Sequence, residues 1–314
     1  MKGLENIGNT CYINSILQIF IYNPYFIKIL YKNLYKLKDP NKNNLLIEFK
    51  KISDEILNNN SSSKGIRPLS FLQLLQSLWK IPINYQQDSH EIYQFILDTF
   101  INEIGIDYEY TVNGTVESLL DKLKLKGVDL YQKHFKKQYS LLVEIFYGQK
   151  IQQLKCFNCD YEDYTFEIFN TILLPIKSSN ILIENLNNYF DWNNIEDYKC
   201  PSCSKYNVKS RYYFWKLPKV LTIVLKRFNN LKQKNNNLID IPFDLDINNY
   251  CIQNKIKKYH LNSIVNHIGN LEMGHYYSTI LHNNKWYNYN DLNISEVETS
   301  NIINNNNYIL YYFN

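Results

Sequence analysis

The sequence contains no alanine, and asparagine fills 45 of its 314 positions. Tyrosine is also abundant, with 28 residues, as are isoleucine and lysine. This composition indicates a bias that acts on the whole chain. A single asparagine in a candidate site is therefore weak evidence for function unless its neighbours support it.

The sequence also lacks an excess of charge of either sign. Its 34 Lys and Arg residues face 30 Asp and Glu residues, which gives a net charge of +4. That value is too small to indicate a nucleic-acid-binding protein. Hydrophobic residues make up 45% of the chain and aromatic residues 15%, so it can bury a sizeable core, and global disorder is excluded.

No segment has the pattern of a signal peptide or a membrane span. Residues 1–6 lack a charged stretch followed by an apolar one. The most apolar stretch, residues 13–30, cannot span a bilayer because it is interrupted by Ser15, Gln18, Asn23, Pro24 and Lys28. We expect an intracellular protein, cytoplasmic or nuclear or both. In that setting, cysteines are expected as thiols or metal ligands and not as disulfides.

Hydrophobic periodicity predicts helices in the first hundred residues and strands after residue 151. Helices are expected at residues 13–34, 45–57, 71–79 and 90–100. Strands are expected at residues 164–169, 211–215, 220–225, 276–281, 285–289 and 308–313. The polar segments expected as loops are residues 58–63, 229–237 and 301–307. Since no internal repeat or Pro/Gly-rich linker occurs, a single α+β domain over residues 1–314 is the simplest interpretation.

Four of the six cysteines form two C-x-x-C pairs, Cys156 with Cys159 and Cys200 with Cys203. Four thiolates give Zn²⁺ the tetrahedral ligand set that it prefers, so the spacing predicts a zinc site. Because four protein ligands leave no open position, this zinc would be structural and not catalytic. Disulfides or a coincidence of spacing are the alternatives.

Cys11 and His275 are candidate partners for nucleophilic catalysis. Cys11 follows Gly-Asn-Thr and begins a predicted helix, where the helix dipole favours the reactive thiolate. A nucleophilic cysteine requires a base, and a hairpin would bring Asn290 or Asp291 beside the imidazole of His275. By position alone, a buried cysteine without a chemical role is the commoner interpretation, and any surface histidine would fit the description of His275.

Six separated segments, however, carry motifs in a fixed order. They are residues 3–18 around Cys11, 85–91 (Tyr-Gln-Gln-Asp-Ser-His-Glu), 146–148, 217–228, 259–276 around His275, and 308–312. In that order they resemble the cysteine box, the QQDAHE element, two middle motifs, the histidine box and the closing strand of the ubiquitin-specific protease family of deubiquitinases. Because the motifs cover the chain almost from end to end, chance convergence is a poor explanation.

The resemblance implies a papain-like cysteine protease fold. A helical thumb would occupy about residues 1–140 and zinc-containing β fingers about 145–220. A mixed palm would take about residues 221–314 together with parts of the fingers region.

The resemblance also implies roles for the residues of a catalytic site. Cys11 would attack the carbonyl of the C-terminal glycine of ubiquitin, and His275 would be the base that activates it. Asn6 would donate a hydrogen bond to the oxyanion. Asn290 would orient His275, as in Cys-His-Asn proteases, and Asp291 would support the site.

Three further residues, Gln87, Asp88 and Glu91, would bind the arginine-rich tail of ubiquitin, the two acids through charge-assisted hydrogen bonds. The alternative for the acids is stabilisation of a helix N-terminus.

The function that the resemblance implies is thiol-dependent hydrolysis of the (iso)peptide bond after ubiquitin, with ubiquitin and ubiquitinated proteins as partners. An inactive ubiquitin-binding scaffold and a protease for another ubiquitin-like modifier are the alternatives. No residue identifies an activating partner, and neither nucleic acid nor a membrane is expected to bind.

Overall fold

A computed structural model of the chain describes residues 1–33, 37–38, 44–58, 65–82, 85–176, 179–229, 231, 233–252, 258–270 and 273–314. Its helices are α1 (Cys11–Ile21), α2 (Pro24–Asn33), α3 (Leu45–Leu57), α4 (Leu69–Trp79), α5 (Ser89–Ile104), α6 (Leu119–Phe135), α7 (Leu141–Phe146) and α8 (Leu182–Phe190). Within the described ranges, none of these helices is long and apolar enough to cross a membrane.

The helices confirm that the first hundred residues are mainly α, with one correction. The helix predicted at residues 45–57 has those bounds, and those predicted at 71–79 and 90–100 are each longer. The single helix predicted at 13–34 is wrong, because the chain forms α1 and α2 with a break at Tyr22 and Asn23, just before Pro24. Residue 34 lies outside the described residues. Proline lacks the N–H that would continue α1. The side chain of Asn23 accepts hydrogen bonds from the backbone N–H groups of Tyr25 (3.0 Å) and Phe26 (3.1 Å), which starts α2.

The strands form three sheets. Their bounds are β1 (Gly3–Leu4), β2 (Gly65–Ile66), β3 (Gly148–Cys156), β4 (Glu162–Phe169), β5 (Ile172–Pro175), β6 (Asn193–Asn194), β7 (Val208–Lys216), β8 (Val220–Lys226), β9 (Asp244–Asp246), β10 (Lys258–Gly269), β11 (Gly274–His282), β12 (Lys285–Asn290), β13 (Asn293–Val297) and β14 (Asn307–Phe313). All six predicted strands are present, each at or within one to three residues of the expected bounds.

The largest sheet has eight strands in the order β13-β12-β11-β10-β14-β8-β5, with β9 paired to β10. Among the strand pairs that the structure describes in it, only β5 and β8 are parallel. Along β14, Ile309, Tyr311 and Phe313 face the core formed with the helices, whereas Leu310 and Tyr312 belong to a second core on the other face. A sheet covered on both faces explains why β8 and β14 are continuous apolar runs.

Helix α1 lies at the centre of the first core. All eleven of its residues are buried, including the polar Asn14, Ser15 and Gln18. It packs on β11 and α5, so its N-terminus is held between the helical layer and the eight-stranded sheet. Cys11 is the first residue of this helix.

The second sheet has four strands in the order β4-β3-β7-β6 and is drawn from the middle of the chain. Its base packs on α6 through Leu123, Ile151 and Phe166. Its far end carries a small separate cluster that includes Cys156, Cys200 and Val208. A two-stranded sheet of β1 and β2 completes the fold.

The loop predictions at the Asn-rich segments are largely correct for the residues that can be compared. Residues 59–63, 230 and 232 lie outside the described part of the chain. Asn307 is the exception, because it begins β14 and is fully buried. Its side-chain amide donates to Oδ1 of Asn266 (2.8 Å) and to the carbonyl oxygen of Ile302 (3.0 Å), which satisfies a buried polar group.

Candidate active site

The loop before Cys11 turns sharply. Gly8 and Asn9 both have left-handed backbone conformations, with φ of 72° and 62°, which glycine and asparagine tolerate best. Thr10 does not cap α1 with its side chain; its hydroxyl accepts from the N–H of Ile7 (3.0 Å). The turn places the buried Cys11 at the N-terminus of α1, as the sequence predicts.

Three of the predicted site residues converge at this position. His275 is the second residue of β11, and Asn290 is the last residue of β12. Nε2 of His275 lies 2.6 Å from Oδ1 of Asn290, and the Cys11 sulfur lies within hydrogen-bonding reach of the His275 ring. Because Nε2 faces Asn290, Nδ1 is the ring nitrogen left for Cys11.

The surroundings of His275 favour its protonated form. The hydrogen bond with Cys11, together with a smaller one to Asn290, raises the pKa of His275 to about 9 against the opposing effect of burial. Asp291 adds a weaker electrostatic effect in the same direction. The surroundings of the ring therefore favour transfer of a proton from Cys11 to His275.

Asp291 lies next to Asn290 but contacts a different part of the site. Its Oδ2 accepts from Nδ2 of Asn6 (2.9 Å), and its Oδ1 accepts from Nδ2 of Asn14 (2.8 Å). Its carbonyl oxygen accepts from the N–H of Leu4 (3.0 Å). Its φ of 51° is left-handed, and this turn aims the carboxylate at the segment before Cys11 and away from hydrogen-bonding distance of the imidazole.

The amide of Asn6 is oriented from both ends. Its Oδ1 accepts from the backbone N–H of Thr10 (2.9 Å) and from the Thr10 hydroxyl (3.3 Å). Its Nδ2 therefore points the other way, toward Asp291. An amide nitrogen carries two hydrogens, so one remains for a further acceptor.

The three predicted substrate-binding residues differ in their surroundings. Glu91 is exposed in the first turn of α5, and Gln87 is half-buried. Asp88 caps α5: its Oδ1 accepts from the N–H of His90 (2.8 Å), and its Oδ2 accepts from the hydroxyl of Tyr308 (2.7 Å). The capping role that the sequence left open for an acid here is thus present at Asp88.

The four cysteines of the C-x-x-C pairs lie together at the end of the four-stranded sheet. Their sulfur atoms are all within 4.8 Å of one another, with Cys156 and Cys203 3.6 Å apart and Cys159 and Cys200 3.7 Å apart. A tetrahedron with Zn–S distances of about 2.3 Å has S–S edges of about 3.8 Å. The four side chains therefore fit a metal of that size and geometry.

Comparison with known proteins agrees with this arrangement. The family model described as ubiquitin carboxyl-terminal hydrolase matches residues 2–312. The chain belongs to the ubiquitin carboxyl-terminal hydrolase family. The predicted family, α+β fold and hydrolase class are thereby confirmed.

Individual members of this family are similar over nearly the whole chain. Ubiquitin carboxyl-terminal hydrolase 8 of Saccharomyces cerevisiae is 30% identical, with 99% of this chain and 70% of the relative covered. Ubiquitin carboxyl-terminal hydrolase 2 of Bos taurus is 27% identical, with 99% and 55% covered. The chain thus spans little more than half of the bovine relative.

A solved structure of the SAGA Ubp8/Sgf11/Sus1/Sgf73 DUB module bound to ubiquitin aldehyde contains a similar chain. The two chains superpose with a TM-score of 0.78 at 26% identity, and the similarity covers 100% of this chain and 69% of the other.

Sequence reasoning missed three side chains that the structure places around the site. Asn14 holds Asp291, Tyr308 holds Asp88, and Gln86 contacts Gly274. Asn14 and Gln86 lie inside motifs quoted from the sequence, and Tyr308 begins the last one. Their contacts were invisible there, because each joins segments that are far apart in the chain.

Proposed function

We propose that this member of the family is a deubiquitinase. It would hydrolyse the peptide or isopeptide bond that follows the C-terminal glycine of ubiquitin, with Cys11 as nucleophile. The observation that carries the proposal is the convergence of Cys11, His275 and Asn290. The amide of Asn6 is held by Asp291, the residue that follows Asn290. Ubiquitin aldehyde bound to the similar solved structure supports ubiquitin as the modifier.

The first step is transfer of the Cys11 proton to Nδ1 of His275. Asn290 accepts a hydrogen bond from Nε2–H of that ring, which holds the tautomer whose Nδ1 lone pair faces the thiol. The raised pKa of His275 favours the imidazolium that results. The sulfur then attacks the glycine carbonyl carbon, and the carbonyl π electrons move to the oxygen.

The tetrahedral intermediate needs a donor for its oxyanion. Asn6 supplies the Nδ2 hydrogen that Asp291 does not occupy. Asp291 acts as a positioning residue, since one carboxylate oxygen accepts from Asn6 and the other from the buried Asn14. This role for Asp291 differs from direct orientation of His275, which falls to Asn290.

Collapse of the intermediate breaks the carbon–nitrogen bond, and His275 gives its proton to the departing lysine amine. A thioester then joins Cys11 to ubiquitin. In the second half-reaction, His275 takes a proton from water, the hydroxide adds to the thioester carbonyl, and the Cys11 thiolate leaves. Ubiquitin is released with a free C-terminal carboxylate.

The cationic tail of ubiquitin would pass the N-terminus of α5. The exposed Glu91 is placed to pair with an arginine there, and Gln87 offers a side-chain amide. Asp88 would contribute mainly by holding the helix start, since both of its oxygens already accept hydrogen bonds.

Zn²⁺ is the metal that we propose for Cys156, Cys159, Cys200 and Cys203. The sulfur separations fit it, and a four-thiolate set makes the site structural. We further propose that the four-stranded sheet forms the fingers, that the helical layer forms the thumb and that the eight-stranded sheet forms the palm.

Reaction with ubiquitin that carries a C-terminal electrophile tests the function. We expect a covalent adduct with the wild-type chain and with Cys251→Ala, which alters a thiol outside the site, but none with Cys11→Ala. Cys11→Ala should still bind ubiquitin. Retained binding without any wild-type adduct would instead indicate a scaffold, and an adduct only with another ubiquitin-like modifier would indicate a different substrate.

A further inference from the structure

A pair of hydrogen bonds joins Gln86 to the residue next to His275. Gly274 donates its N–H to Oε1 of Gln86 (2.7 Å), and Nε2 of Gln86 donates to the carbonyl oxygen of Gly274 (2.5 Å). The two residues are 188 positions apart in sequence. One side-chain amide thus satisfies both backbone polar groups of a single residue.

The side-chain amide of Gln86 pairs with β11 where no neighbouring strand does so among the described residues. On one side, β11 pairs with β10 from residue 274 onward. On the other side, β12 pairs only with residues 278–282 of β11. Among the described residues, the end of β11 that carries His275 therefore has no strand neighbour on that side. Gln86 provides there the donor and acceptor that a neighbouring strand would provide.

Gly274 has little freedom to move away from this contact. A side-chain carbon at Gly274 would collide with Nε2 of His267, and the carbonyl oxygens of Asn270 and Ile268 would lie 3.0 Å from it. His267 is itself buried on β10, directly opposite Tyr276, and the centres of the two rings lie 4.6 Å apart. The backbone at Gly274 is held by β10, by His267 and by Gln86.

We propose that Gln86 is a positioning residue of the hydrolase reaction, an inference that rests on the proposed function. By fixing both backbone groups of Gly274, it sets the direction in which His275 leaves the strand. His275 must face Cys11 with Nδ1 while Nε2 faces Asn290, so a small rotation of the strand end breaks both alignments. Misplacement by about 1 Å costs on the order of 100-fold in rate.

Gln86→Met tests this role because it keeps the shape of the side chain and removes both hydrogen bonds. With a fluorogenic amide of ubiquitin as substrate, we expect kcat to fall roughly 10- to 100-fold and KM to stay within about 2-fold. The matched control is Gln73→Ala, an exposed glutamine on α4, which should match the wild type.

Gln86→Glu gives a second readout that a merely structural role would not produce. Its carboxylate can accept from the Gly274 N–H but repels the Gly274 carbonyl, whereas its protonated form restores the donor. We expect kcat relative to wild type to recover as the pH falls toward 5. If Gln86→Met does not fold, this pH dependence carries the test.

Three results would overturn the proposal: an unchanged kcat in Gln86→Met, a rise in KM alone, or a higher kcat than the wild type. A rise in KM alone would indicate that Gln86 contacts ubiquitin. A higher kcat would indicate that Gln86 holds the site in a less active conformation. A pH-independent deficit in Gln86→Glu would also contradict it. These outcomes all require a wild type that turns over ubiquitin; an inactive wild type would contradict the proposed function itself.

Discussion

At the end of β12, two neighbouring residues have different partners. Asn290 accepts from the imidazole of His275, and Asp291 accepts from two side-chain amides on the Cys11 side. One accepting oxygen is enough at position 290, so asparagine and aspartate are both suitable there. Position 291 requires two accepting oxygens, and only a carboxylate provides them.

This difference predicts the effect of Asp291→Asn. The new NH₂ group must face either Asn6 or Asn14, both of which donate to this position, so one of the two hydrogen bonds is lost. Any bond that Asn6 keeps is to a neutral acceptor, so its orientation is weakened. We expect kcat to fall about 100- to 1,000-fold, the usual loss for one oxyanion donor, while ubiquitin binding persists. Steady-state kinetics measure this loss of kcat. The control variant is Asp107→Asn, which changes an exposed carboxylate. A kcat within about 3-fold of the wild type would contradict this role for Asp291.

The protonation of His275 should depend on its neighbour Cys11. The hydrogen bond with Cys11 is the largest effect that raises the pKa of His275 to about 9, so Cys11→Ala should lower that pKa. An NMR titration of the imidazole measures it, with Cys251→Ala as the control. A titration midpoint that stays at about 9 in Cys11→Ala would show that another group holds the proton.

The raised pKa of His275 also predicts how the free energy of unfolding changes with pH. Because the pKa of His275 is raised in the folded chain, the protonated ring stabilises the fold fully below about pH 6.5. That contribution disappears as the pH rises through about 9. The imidazolium that protonates the leaving amine should be depleted over the same range.

The sequence predicted Cys11, His275 and Asn290 as one group, and the structure brings them together. The sequence did not show whether residue 290 or residue 291 accepts the hydrogen bond from His275. Adjacent residues of a strand point their side chains to opposite faces, and the sequence does not show which face meets His275. In a chain with 45 asparagines, composition also gave no reason to select Asn6 or Asn14. The resemblance selected Asn6, whereas Asn14 is distinguished only by its contact with Asp291.

At the scale of secondary structure, the junction of α1 and α2 shows what apolar periodicity misses. Apolar residues continue through the break in the chain, so their spacing predicts one helix. The stop and the new start depend on Asn23, whose side chain accepts from the first N–H groups of α2, and on Pro24, the first residue of that helix.

Replacing the side chain that starts α2 should destabilise the protein. In Asn23→Ala, the N–H groups of Tyr25 and Phe26 lose their shared acceptor, which typically costs about 1 kcal/mol of unfolding free energy. Asn23→Ser retains an acceptor oxygen and should cost less. Equilibrium denaturation in urea compares the three proteins. Equal stability of the serine and alanine variants would rule out capping as the cause.

Helix α6 was not predicted, although its first turn had a signal. Ser118 and Asp121 form a reciprocal capping box. The buried stripe of the helix is narrow, with Leu123, Tyr131 and Phe135 spaced along a lysine-rich surface, and it includes Gly127. A glycine inside a helix weakens the pattern, but here the absence of a side chain lets Phe166 and Trp215 approach.

For the whole molecule, the α+β class and the order of its parts were predictable because the motifs run along the full chain. The packing of the two larger sheets was not, since it depends on contacts between distant segments. At one end, the four-stranded sheet shares a large buried cluster with the eight-stranded sheet through Phe169 and Phe214. Its other buried clusters are small, and the one that contains the cysteines is separate from both large clusters.

Removing the proposed zinc should therefore affect the two larger sheets unequally. Chelation, or Cys200→Ser, removes the tetrahedral link and should increase hydrogen exchange in β3, β4 and β7, with much less change in β10, β11 and β14. Exchange measured by mass spectrometry, with metal analysis and Cys251→Ser as the control, tests this. Uniform loss of protection would mean that the chain unfolds as one unit, and unchanged metal content in Cys200→Ser would refute the site.

The contacts of Asp291 also have a consequence for synthesis of the chain. Its hydrogen bonds to Asn6 and Asn14 span 285 and 277 residues, and a ribosome makes the two ends in that order. A nascent chain that exposes Cys11 but has not yet reached residue 291 lacks the oriented Asn6 amide, His275 or both. The site is therefore complete only after residue 291 has been made, and shorter nascent chains carry the Cys11 thiol without the residues proposed to act with it.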